Sequence, residues 1–156
     1  MKIHWKRLLF CLLVPLGVGA LSAFLSRGQT ELFETIEKPP LTPPSWVFPV
    51  AWSILYLLMG FASYRIAHAD KPTGYKNQTL ILYAMQLFFN FVWSLIFFNM
   101  RHFGFALVWL IVLWGLILWL CFRTFFIDRL AFGCLVPYLL WVTFAGYLNL
   151  MIYLNN

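Results

Sequence analysis

Between Arg7 and Arg27 the chain carries no Asp, Glu, Lys or Arg, a charge-free run of 19 residues at positions 8–26. A helix rises about 1.5 Å per residue, so this run just spans a hydrocarbon core of about 30 Å. Similar apolar windows follow at about 46–66, 79–99, 104–122 and 132–154. Only 10% of the residues are charged and 63% are hydrophobic, whereas a soluble domain carries about a quarter charged residues. The expectation is an all-α integral membrane protein, a bundle of five transmembrane helices forming a single domain over residues 1–156. A loop at about 27–45 is left as a lid.

The first span also has the basic start of a signal peptide, in Lys2, Lys6 and Arg7. A signal-peptide core is usually about 7–15 residues, and this run is longer. Its Gly17, Gly19, Ala20, Ser22 and Ala23 read as a face for close helix packing. The formal charge of +6 does not point to nucleic acid, because the basic residues are scattered at the ends of apolar runs. They read as topology signals. Lys2, Lys6, Arg7, Arg65, Lys71, Lys76, Arg123 and Arg129 flank one side, and Arg27, Lys38 and Arg101 the other. The richer side is expected to be cytoplasmic, which puts the N-terminus inside and the C-terminus outside. A bacterial cell membrane is the default expectation.

The long loop ends in KPPLTPPSWVFPVAW (38–52). Pro39, Pro40, Pro43 and Pro44 are expected to stiffen it in an extended, polyproline-like form that loses little entropy on ordering. A PxxP docking motif is the alternative. Ser45 reads as an N-cap, and Pro49 would fall in the first helical turn, where few backbone donors have partners.

No charged residue lies at mid-depth in any span, which argues against a proton relay or an ion-coupled pump. Cys11, Cys121 and Cys134 lie in apolar runs without a CxxC, so neither a disulfide nor a metal site is expected. His4, His68 and His102 sit near span ends, leaving no axial imidazole inside the spans. His102, on the loop side, stays open as a candidate.

The informative groups are neutral. Tyr83, Gln86, Asn90, Trp93 and Phe97 share one helical face, as do Tyr138, Trp141, Ala145 and Asn149. Trp52 and Tyr56 are four apart. Counting from the loop-side ends of the helices, Trp52 lies about 9 Å deep, Asn90 and Ala145 about 13 Å and Trp141 about 20 Å. These positions would line one cavity beneath the proline-rich loop. The plain alternative is that the amides bond a neighbouring helix and the tryptophans mark the interface. Periodicity leaves both open. The fourth span is apolar all round, with Trp109, Trp114 and Trp119 five apart, and is expected to meet lipid or a second subunit.

Three blocks, KPPLTPPSWVFPVAWSILYLLMG (38–60), YAMQLFFNFVWSLIFF (83–98) and PYLLWVTFAGYLN (137–149), in this order resemble the TspO/MBR family of tryptophan-rich sensory proteins, related to the mitochondrial translocator protein. The resemblance covers nearly the whole chain. It implies a five-helix bundle, commonly a homodimer, with an apolar pocket for porphyrins such as protoporphyrin IX. Isoquinoline-carboxamide and benzodiazepine-type drugs are further implied ligands, and no cofactor is required. It maps the pocket onto Trp52, Asn90, Trp93, Trp141 and Ala145, with Tyr56, Phe97, Tyr138 and Asn149 nearby. The lid would hold Phe33, Lys38, Pro39, Pro43 and Pro44. The implied function is a receptor or sensor, with light- and oxygen-dependent porphyrin breakdown as a possible activity and a tetrapyrrole transporter as the alternative. No conventional catalytic residues are visible; Trp52 and Trp141 are the redox or quenching candidates.

The chain departs from the family pattern in three places. Leu32 and Phe33 stand where relatives carry an aromatic pair. Trp109 stands where animal relatives have an Asp. LNLMIYLNN (148–156) has no basic residue after Tyr153, so cholesterol import is not expected.

Overall fold

The computed structural model describes residues 2–26, 35 and 38–156. Among them five helices are long and apolar enough to cross a membrane. These are α1 (Trp5–Leu25), α2 (Val47–Ala67), α3 (Thr73–Ser94, continued by a π-helical turn at Leu95–Asn99), α4 (Phe103–Phe125) and α5 (Arg129–Asn155). The order round the bundle is α1, α2, α5, α4, α3, with α3 closing back onto α1. The protein is therefore an all-α, five-helix integral membrane bundle.

The helices overrun the apolar windows for identifiable reasons. α3 begins at Thr73, six residues before the expected start, and its first turns are polar. Arg123 at the end of α4 holds them: its Nε donates to Thr79 Oγ1 at 3.0 Å and its Nη2 to the Tyr75 carbonyl at 3.2 Å. The guanidinium also lies 4.0 Å over the Tyr75 ring. α5 begins at Arg129 because Asp128 caps it, accepting from Ala131 N at 2.9 Å. The other carboxylate oxygen accepts from Arg65 Nη2 at 2.7 Å, tying the end of α2 to the start of α5.

α4 meets its neighbours with Ala106, Leu110, Leu113, Ile117, Leu120 and Thr124, all buried. Their 4-3-4-3-4 spacing is the seam of a bundle helix. Phe105, Val108, Ile111, Leu118, Trp119 and Phe122 point outward. The three tryptophans do not share a fate. Trp109 stacks on Phe89 at 4.5 Å and donates to its carbonyl at 2.8 Å. Trp114 donates to Thr143 Oγ1, and Trp119 is exposed.

α1 is peripheral, with Pro15 and Ser22 as its buried residues. Its contact with α2 depends on two backbone peculiarities. Pro15 has no N–H, so the Cys11 carbonyl lacks its intrahelical donor. Gly60 of α2 lies against that carbonyl: a Cβ there would stand 2.6 Å from Cys11 O and 2.8 Å from Leu12 Cα. The bare glycine lets the two backbones approach where the carbonyl is free.

Candidate functional site

α1, α2, the end of α3 and α5 surround a cavity of about 620 Å³ at the end of the bundle where residues 38–46 cross. Its wall from α2 is Phe48, Pro49, Trp52, Ser53 and Tyr56, one face of that helix. α5 contributes Trp141, Phe144, Ala145, Leu148, Asn149 and Ile152, and α3 with its π turn contributes Trp93, Ser94, Phe97 and Phe98. The size falls within the usual range for small-molecule pockets, about 300–1,000 Å³.

The wall is aromatic, with rings both edge to face and stacked. Trp52 meets Trp141 at 6.4 Å and 87°, and Tyr138 at 6.3 Å and 68°. Trp52 stacks on Tyr56 at 5.6 Å, and Trp93 on Phe97 at 5.3 Å. Trp93 and Asn149 fix one another: Trp93 Nε1 donates to Asn149 Oδ1 at 3.1 Å, and Asn149 Nδ2 donates to the Phe103 carbonyl at 2.9 Å. The Trp141 indole N–H has no hydrogen-bond partner among the described residues.

Seven of the nine expected ligand-contacting residues line this cavity: Trp52, Tyr56, Trp93, Phe97, Trp141, Ala145 and Asn149. Asn90 and Tyr138 do not. They lie one layer deeper, fully buried, and form the floor. Asn90 Nδ2 donates to Tyr138 Oη at 3.2 Å, and Tyr138 Oη donates to Gln86 Oε1 at 2.7 Å. An amide in an apolar interior is costly without a partner, and here Asn90 takes one from α5 instead of facing the cavity. For this residue the helix-pairing alternative describes the contact.

α1 contributes to the wall beyond the helix packing expected of its small residues: Leu16, Gly19, Ala20, Ser22 and Ala23 line the cavity. They do both, because Gly19 is where the Tyr56 ring rests; a Cβ there would stand 2.3 Å from it. His102 is exposed at the start of α4 and does not line the cavity.

Of the expected lid residues, Lys38 and Pro39 line the cavity, together with Thr42, Ser45 and Trp46. Pro43 is half-buried and Pro44 exposed, and neither lines it. Phe33 and Leu32 fall outside the described residues. The segment is not extended throughout. Pro39 to Thr42 form a turn, with Thr42 N at 3.3 Å and Thr42 Oγ1 at 2.6 Å from the Pro39 carbonyl. Leu41 takes the left-handed conformation, φ 71°. Tyr147 Oη donates to the Pro40 carbonyl at 2.9 Å, fastening the turn to α5. Ser45 does not cap α2: Trp46 holds the cap position in helical conformation, without a side-chain cap. Pro49 lies in the first turn, as its missing N–H allows.

The TspO/MBR family model matches residues 11–154. A tryptophan-rich sensory protein of Cereibacter sphaeroides is 36% identical over 149 residues, covering 96% of this chain and 90% of the relative. Protein CrtK of Rhodobacter capsulatus is 33% identical, covering 88% and 85%. The translocator protein of Bos taurus is 35% identical over 151 residues, covering 94% and 88%.

Proposed function

The chain belongs to the TspO/MBR family, and from that premise we propose that it is a membrane receptor for porphyrins, protoporphyrin IX in particular, and for other flat hydrophobic ligands. The observation that carries this reading is the aromatic cavity of about 620 Å³ under the proline-rich turn. A flat conjugated ring gains about 0.5–1.5 kcal/mol per aromatic pair beyond area burial. Trp52, Trp93 and Trp141 offer faces and edges on three sides. Lys38 at the mouth suits a propionate.

The receptor reading is favoured over a transporter by the floor. Gln86, Asn90 and Tyr138 are fully buried and bonded together across α3 and α5, so the cavity ends there. Trp52 and Trp141, in edge contact on the cavity wall, are the candidate electron donors or quenchers for a photoexcited porphyrin. Illuminating bound protoporphyrin tests that role: a double Trp52→Phe, Trp141→Phe variant that bleaches at the wild-type rate would exclude it.

Binding itself is tested by titrating purified protein with protoporphyrin IX and following tryptophan fluorescence. Ala145 leaves room between Trp141 and Leu148, so Ala145→Phe should weaken binding by at least tenfold. An unchanged affinity would place the ligand elsewhere.

A further inference from the structure

At the opposite end of the bundle, where α1 begins and α2 ends, Lys6, Arg7, Phe10 and Cys11 of α1 face Ala67 and His68 across a shallow groove of about 450 Å³. The rim is cationic and the floor apolar. His68 Nδ1 lies 2.9 Å from the Tyr64 carbonyl, which makes it the donor. His68 Nε2 then accepts from Arg7 Nη1 at 3.3 Å. His4 stacks on His68 at 5.5 Å, and the His4 backbone N–H donates to Tyr64 Oη at 2.9 Å. These contacts hold the start of α1 against the end of α2 and keep the Arg7 guanidinium beside the groove.

Four other cations at this end are engaged. Arg65 pairs with Asp128, Arg123 bonds Thr79, Lys76 donates to the Ala67 and Ala69 carbonyls, and Arg129 covers the Phe125 ring. Lys6 and Arg7 have no acidic partner among the described residues. An imidazole satisfies one of the five guanidinium N–H groups and supplies no negative charge.

We propose that this groove binds the headgroup of an anionic phospholipid, with Lys6 and Arg7 on the phosphate and an acyl chain along Phe10, Cys11 and Ala67. Charge complementarity and depth select this occupant. The first turn of α1 changes from Lys6–Arg7 to uninterrupted apolar sequence at Leu8, so the groove straddles the boundary between headgroups and acyl chains. Trp5, 71% exposed beside it, is the kind of aromatic that sits at that level. A free anion would use the rim and leave the apolar floor wet, whereas a lipid covers both. A topology signal alone needs only charge in the flank and would not require Arg7 to be held on a second helix.

The test uses the full chain in a neutral detergent, with retained lipid counted by native mass spectrometry. Phosphatidylglycerol, phosphatidylcholine with the same chains, and inorganic phosphate are compared. Phosphatidylglycerol should bind, phosphatidylcholine should bind at least tenfold more weakly, and inorganic phosphate at equal concentration should not displace the lipid. Removing two interfacial cations weakens such binding by about thirtyfold, so Lys6→Ala/Arg7→Ala should lose it. Lys2→Ala/Lys71→Ala, which removes the same charge outside the groove, should retain it. Equal binding of the two lipids, displacement by phosphate, or equal losses in the two double variants would each overturn the proposal. The lipid comparison on the unaltered protein decides the matter even if a variant fails to fold.

Discussion

Tyr138 is fully buried, yet its hydroxyl works twice, accepting from Asn90 and donating to Gln86. Tyr138→Phe would keep the ring that meets Trp52 and strand both amides. A stranded buried group costs about 1–3 kcal/mol in water-soluble proteins, and interhelical hydrogen bonds in membranes sit toward the low end. Thermal unfolding in detergent should therefore show a loss of about 1–3 kcal/mol, with porphyrin affinity much less affected because Tyr138 lies beneath the cavity. Leu41 makes the opposite case. It is 81% exposed and holds φ 71° at the third position of a turn, where Gly or Asn avoids a steric clash. Leu41→Asn should raise stability by up to about 1 kcal/mol, read as an increase in Tm. A fall in Tm would mean that the leucine side chain makes a contact worth more than the strain.

Among the elements, the α2–α5 tie at Asp128 carries a pH signature. Partial burial alone would raise its carboxyl pKa. The Arg65 side chain and the backbone donors Ala131 and Leu130 outweigh that and hold it below the ordinary value. A carboxylate depressed in the folded state stabilises above its unfolded pKa of about 4 and loses the contribution as pH falls through the lower folded value. Asp128→Asn retains a capping side chain but not the charge. Its deficit relative to the natural protein should be full at neutral pH and close progressively below about pH 4, as followed by Tm against pH. Asp128→Ala should lose the cap as well, about 1–2 kcal/mol in all. The α1–α2 contact at Gly60 rests on backbone proximity. Gly60→Val would drive a side chain into the Cys11 carbonyl and Leu12 Cα, moving α1 off the cavity it helps to wall. Porphyrin binding should weaken although no ligand-facing residue has changed.

Across the whole molecule, the spans were legible in advance because lipid tolerates neither charge nor an interrupted apolar run, and both show in a linear sequence. The cavity face was legible where polar and aromatic residues recur at helical spacing, as in α5 from Trp141 to Asn149. Pairing was not legible. Nothing at Asn90 says that its amide is taken by Tyr138, and nothing in the uniformly apolar α4 marks Ala106, Leu110 and Leu113 as the seam. The small residues of α1 were visible, but a packing face and a cavity wall have the same composition. These partnerships divide the bundle into an open half, roofed by residues 38–46, and a closed half beneath Gln86, Asn90 and Tyr138. That asymmetry bears on the choice between receptor and transporter. An alternating-access protein must reopen its site to the far side, and transporters of that kind place the site between helices that can part. Here the far side is closed by hydrogen bonds between α3 and α5 and by the Arg65–Asp128 pair below them. In proteoliposomes, protoporphyrin should therefore bind with saturation but reach the lumen no faster than in protein-free vesicles. Tyr138→Phe, which unties the floor, should not create flux either, because Leu135, Val142 and Met59 still fill that layer. Protein-dependent, saturable entry abolished by Ala145→Phe would show instead that the cavity is one state of a transporter.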